Sequence, residues 1–137
     1  MENYRDAKYN DVINVIKEFH NKYQRPGIPD LLNLIKGPYN VTEPNQLQNN
    51  WADFDNPGVY FIFSNADELL YVGMSTVSIG SRLISFFGSL IEPKNPQWLQ
   101  EKGKTAGYAA ILPIDKNNRF EAPAIEDYII CRLKKIL

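Results

Sequence analysis

Two short runs rich in aromatic and β-branched residues, 58–63 and 69–73, flank five residues of turn chemistry. Gly58-Val59-Tyr60-Phe61-Ile62-Phe63 suits a half-buried strand. Ser64-Asn65-Ala66-Asp67-Glu68 suits a tight reversal, because Asn and Asp bond their own backbone and tolerate left-handed geometry. Leu69-Leu70-Tyr71-Val72-Gly73 returns as a second strand, so the whole reads as a β-hairpin. Pairing Phe63 with Leu70 sets Ile62 against Tyr71 and Tyr60 against Gly73. Any register with an odd index sum then places Tyr60 and Tyr71 on one face, and a one-residue slip separates them. Gly73 opposite Tyr60 is expected to leave a hollow beside both phenols. On spacing alone, two core tyrosines and two functional ones are both open readings.

The rest of the chain organises around this hairpin. Residues 4–23 have helical spacing of Val12, Ile13, Ile16 and Phe19, and Gln24-Arg25-Pro26-Gly27 stops that helix. A second short helix is expected from Pro29 or Asp30 through Ile35, ending at Gly37-Pro38. Residues 41–54 are polar, with Trp51 and Phe54 as anchors against the main body. Ser75 and Ser78 are among the N-cap candidates for a helix carrying Ile79, Leu83, Phe86, Phe87 and Leu90. Arg82 falls about 80° from the centre of that stripe, at the edge of the buried face. Residues 107–114 read as a third strand, with Pro113 at its edge or end. Pro123 suits the first position of a last helix, residues 124–137.

That last helix carries an anomaly. Ile125, Ile129, Leu133 and Ile136 form its apolar stripe, widened by Ile130 and Leu137. Glu126 lies about 100° from Ile125, inside the apolar sector, while Asp127 at about 200° points out. A carboxylate turned toward the core needs a partner. An ion pair with Arg82 and a cleft site for a divalent cation both answer that need, since Mg²⁺ accepts sparse carboxylate sites completed by water and phosphate. Glu121, ahead of Pro123, is the fallback ligand.

Bulk properties narrow the classes. The 137 residues suit one packed domain with a small appendage. The single Cys131 excludes an internal disulfide, and one histidine, His20, gives little basis for zinc or His-based acid–base chemistry. No apolar run approaches a membrane span and no signal-peptide pattern is present, so a cytoplasmic setting without membrane attachment is expected. Net charge is −1. Residues 1–57 hold six Lys/Arg against eight Asp/Glu, net −2, and residues 58–137 hold nine against eight, net +1. Overall charge does not favour nucleic acid, although Arg82, Lys94, Lys102 and Lys104 are candidates to line one edge.

Gly58-Val59-Tyr60, ten residues, then Tyr71-Val72-Gly73, then Arg82 and a helical Glu126, resembles the GIY-YIG nuclease superfamily. The resemblance covers residues 57–137 and leaves 1–56 as an N-terminal helical extension packed on the core, open to a protein partner or dimer contact. It implies an α+β fold, a small three-stranded antiparallel sheet flanked by helices. It implies a DNA endonuclease using Mg²⁺ or Mn²⁺. Tyr60 would act as general base or water-orienting group, Tyr71 as hydrogen-bond donor, Arg82 as phosphate stabiliser and Glu126 as metal ligand, with Gly58 and Gly73 shaping the site. The chain departs from the family pattern at Met74, where Lys or Arg is frequent, and at Phe86, where Tyr or His is usual. A weakened enzyme, or a binding module on the same scaffold, is the alternative these departures imply.

Overall fold

In the computed structural model, which describes residues 7–134, the hairpin forms from β2 (Gly58–Ser64) and β3 (Leu69–Ser75). Ile62 lies opposite Tyr71 and Tyr60 opposite Gly73. A shift between Ile62 and Phe63 pairs Phe63 with Leu69 instead of Leu70, as an extra residue at the turn end allows. Ser64 organises the turn: its Oγ accepts from the backbone N–H groups of Ala66 and Glu68. Asp67 takes the left-handed backbone at φ 61°, which aspartate tolerates better than most residues.

The sheet has four strands rather than the expected three. β4 (Ala106–Pro113) runs antiparallel to β2 on its inner side, and β1 (Lys36–Asn40) pairs antiparallel with β4. The order is β1-β4-β2-β3. The extra strand comes from the segment read as the end of a second helix. That helix shrinks to one 3-10 turn, Leu31–Asn33, capped by the Asp30 carboxylate on the Leu32 N–H. The chain beyond it runs extended because Pro38 has no N–H to donate to a helix and Gly37 adopts φ 94°. Pro113 stands at the end of β4, opposite Gly58, so β4 lies inside the sheet.

Both faces of the sheet are covered, and all seven residues of β2 are buried, not half-buried. Val59, Phe61 and Phe63 point to one face with Val72, Ala110 and Leu112. There α1 (Tyr9–Lys22) and α5 (Glu121–Leu133) close the core with Val12, Val15, Ile16, Phe19, Ile125 and Ile129. Val15, not Ile13, completes the buried stripe of α1. Tyr60, Ile62, Ala109 and Ile111 point to the opposite face. That side is closed by Ile79, Leu83 and Phe87 of α3 (Ile79–Phe87), and by Phe54 at the end of the one-turn α2 (Trp51–Phe54). Leu99 of α4 (Gln97–Glu101) fills in beside them.

Helix ends follow their chemistry. Ser78 caps α3 by accepting from the Ser81 N–H, and Gly88 ends it at φ 77°. α5 starts at Glu121, two residues ahead of Pro123. Pro123 therefore sits in the first turn, where backbone N–H groups have no intrahelical partner and the proline costs nothing. Ile136 and Leu137 of the expected stripe, and Tyr4 of the first helix, lie outside the described residues. No helix among the described residues is long and apolar enough to cross a membrane.

Candidate active site

The register puts Tyr60 and Tyr71 side by side on the α3 face, with ring centroids 6.0 Å apart. Gly73 is what lets them approach. A Cβ there would come within 2.4 Å of the Tyr60 ring and hydroxyl, so the space expected to be hollow is filled by the phenol itself. Gly58, at the start of β2, takes φ 152°, and a Cβ on it would press 2.2 Å from the Leu112 carbonyl. Any larger residue would part β2 from β4.

Tyr60, Tyr71 and Arg82 line one open cleft of about 500 Å³ with Ser85, Phe86, Pro96 and Trp98. Arg82 projects from the exposed side of α3, one turn before Phe86, and is the cation in this wall. Phe86 packs 5.4 Å from Tyr71 and 5.8 Å from Trp98, and Trp98 lies 5.9 Å from Tyr71. Trp98 meets both other rings edge-to-face, while Tyr71 and Phe86 are tilted at 44° to each other. Trp98, at the start of α4, is the wall residue that sequence pattern did not assign to the site. A tryptophan just after Pro93 and Pro96 was its one signal in the sequence.

Glu126 comes from the other side. Its helix packs on the face bearing Val59 and Phe61, opposite to Tyr60, and Glu126 is absent from the cleft wall. It is partly buried, and it is close enough to Tyr60 and Arg82 for its charge to weigh on both. The route passes β3, which is an edge strand contacted by α3 on one face and α5 on the other. Burial raises the Glu126 carboxyl above the usual glutamate range, Asp127 adds to this, and Arg82 opposes it. Among the described residues nothing donates a hydrogen bond or ion pair to Glu126. The chemistry of this orphan carboxylate suits a divalent cation completed by water and phosphate oxygens. No cluster of three His, Cys, Asp or Glu side chains able to hold a metal occurs among the described residues.

Tyr60 is held as a neutral phenol. Burial raises its pKa far above the ordinary value, Tyr71 raises it further, and Arg82 pulls the other way. Met74 does not face the cleft but packs with the core under α1 and α5.

The other candidates are dispersed. Lys104 is tied to both carboxylate oxygens of Glu68, at 2.8 and 3.1 Å. Lys94 borders a separate hollow with Thr42 and Phe87, and Lys102 is exposed at the end of α4. Glu121 lies inside the first turn of α5, not ahead of it, and pairs with Arg25. His20 stands 4.0 Å from Asp30 at the surface of α1.

No protein-family model, no curated protein and no solved structure matches this chain.

Proposed function

We propose that the chain is a divalent-cation-dependent endonuclease that hydrolyses DNA phosphodiester bonds with a GIY-YIG type of site. The observation that carries this reading is the cleft shared by Tyr60, Tyr71 and Arg82, with the unpartnered carboxylate of Glu126 within electrostatic reach. Arg82, permanently charged and exposed, takes the non-bridging oxygens of the scissile phosphate in paired hydrogen bonds. Tyr71 donates a hydrogen bond to the phosphate or the leaving oxygen. Tyr60 orients the attacking water, and it accepts that water's proton only when positive charge gathers beside it, since its buried phenol otherwise keeps its own. Glu126 would hold Mg²⁺ or Mn²⁺, which would supply the Lewis acid that this polar set otherwise lacks. Trp98 and Phe86 give the cleft an aromatic wall on which a base flanking the phosphate stacks, which favours an unpaired nucleotide there.

The test is cleavage of supercoiled, branched and single-stranded DNA with Mg²⁺ or Mn²⁺, and with chelator. Wild-type protein is expected to nick DNA slowly, and only with the cation. Glu126→Ala is expected to be inactive. Equal activity in both proteins would place the chemistry elsewhere.

A catalytically silent nucleic-acid-binding module is the second reading. Phe86 in place of a hydrogen-bonding residue, and a phenol that burial keeps protonated, favour it. DNA binding without cleavage under every cation condition would decide for it.

A further inference from the structure

A second cleft, of about 350 Å³, opens on the sheet face opposite the Tyr60 site, between the start of α1 and the β2–β3 turn. Its lining is Tyr9, Pro38, Phe63, Asp67 and Tyr108. Phe63 is its floor, 1% exposed. Tyr108 lies directly across the β2–β4 pairing from Phe63, and the Tyr9 ring meets Phe63 edge-to-face at 5.8 Å. Both tyrosines are partly exposed, as walls must be. Asp67 stands at the rim, fixed by the Tyr9 backbone N–H, which donates to its Oδ1 at 3.1 Å. Among the described residues no ion pair to it is formed, and the nearby Lys104 is paired with Glu68.

We infer that this cleft is an aromatic cage for a methylated ammonium group. The two partly exposed tyrosine rings, over the apolar floor of Phe63 and beside one carboxylate, attract a cation by quadrupole and by charge together. A quaternary ammonium sheds its water cheaply and needs no hydrogen bonds. A primary ammonium must keep three donors satisfied, and the cage offers it one carboxylate. The cleft is therefore selective for methylated over unmethylated cations. Its ligand is either a free quaternary amine or a methylated lysine on a peptide. The Asp67 backbone makes the charge testable by itself. Asparagine also tolerates φ 61° and keeps an acceptor for the Tyr9 N–H, so Asp67→Asn removes the charge and leaves the turn.

The experiment is titration of the full chain with tetramethylammonium, followed by amide chemical shifts of Tyr9, Phe63, Asp67 and Tyr108. Saturable shifts confined to these positions are expected, with ammonium and methylammonium much weaker. Asp67→Asn is expected to weaken binding roughly fivefold. Tyr108→Leu, which keeps an apolar wall but no π-face, is expected to abolish it, and a melting curve identifies any variant that fails to fold. Choline and a trimethyllysine peptide form the second arm. Whichever binds tighter than tetramethylammonium identifies the source of the cation. Absence of saturable shifts with all three would overturn the inference. So would equal binding of 3,3-dimethylbutan-1-ol, the neutral carbon isostere of choline, or an unchanged affinity in Asp67→Asn.

Discussion

Glu126 is a carboxylate whose charge is disfavoured by burial and by Asp127, more than Arg82 offsets. Its pKa is raised in the folded chain, so the folded state holds the proton more tightly than the unfolded one. The ionised group therefore subtracts stability as pH rises through the window above the ordinary glutamate range, and below that range the effect is gone. Glu126→Gln is expected to melt higher than wild type at neutral pH, with the gap closing as the solution is acidified. Millimolar Mg²⁺ is expected to raise the melting temperature of wild type and not of Glu126→Gln, because a ligand bound only by the folded state stabilises it. A variant that melts lower at neutral pH would mean the carboxylate has a structural partner. Tyr60 poses a different test, since its hydroxyl is the only atom Phe lacks. Tyr60→Phe is expected to keep the fold and lower cleavage by about a hundredfold, the scale of a lost acid–base or orienting group. These two residues were legible for unlike reasons. Tyr60 follows from strand parity, which any odd-sum register preserves. Glu126 follows from a polar residue breaking an apolar helical sector, a pattern that gives its angle on the helix but not the sheet face its helix covers.

At the level of elements, the cleft is made where the hairpin meets α3. Alternation along β2 and β3 puts Tyr60 and Tyr71 on one face, because side-chain period in a strand is fixed by covalent geometry, whereas the pairing of Tyr60 with Gly73 rested on matching Phe63 to Leu70. The slip to Phe63–Leu69 was not legible, since it depends on how Ser64 closes the turn. α3 is bounded by its Ser78 cap and Gly88 stop, and Arg82, which the wheel puts at the edge of the buried face, is exposed and lines the cleft. Phe86, one turn on, is where this element departs from the family pattern. Its ring already stands in the cleft wall against Tyr71 and Trp98. Phe86→Tyr adds only a hydroxyl at the open side, so it is expected to raise cleavage up to about tenfold, the yield of one added transition-state hydrogen bond. Assay of the single variant under saturating cation checks this. Loss of activity would mean that the aromatic wall acts through its apolar surface.

On the scale of the whole molecule, a boundary at residue 57 follows the reach of the resemblance and not the course of the core. Local pattern could not show this. Residues 36–40 carry a Gly and a Pro and little β-branched character, so nothing in them marks a strand until β4 offers an edge to pair with. Once β1 is in place, β4 is an inner strand and Ile111 has partners on both sides. The first helix is equally committed. Val12, Val15, Ile16 and Phe19 share one cluster with Val59, Phe61 and the stripe of α5. Glu18 binds Arg132 through two hydrogen bonds and accepts another from the Tyr128 hydroxyl. Removing a ring of this kind from a core costs about 3–5 kcal/mol, so Phe19→Ala alone is expected to consume much of the stability of a small domain. Cutting the chain to residues 57–137 removes the whole helix, the fourth strand and Phe54 together, and leaves β4 and one face of α5 bare. The truncated piece is expected to lack a cooperative melt and dispersed amide resonances, and to lose cleavage even though Tyr60, Tyr71, Arg82 and Glu126 are all retained. A 57–137 fragment that melts cooperatively near the full chain's temperature would show that the first 56 residues are an appendage after all.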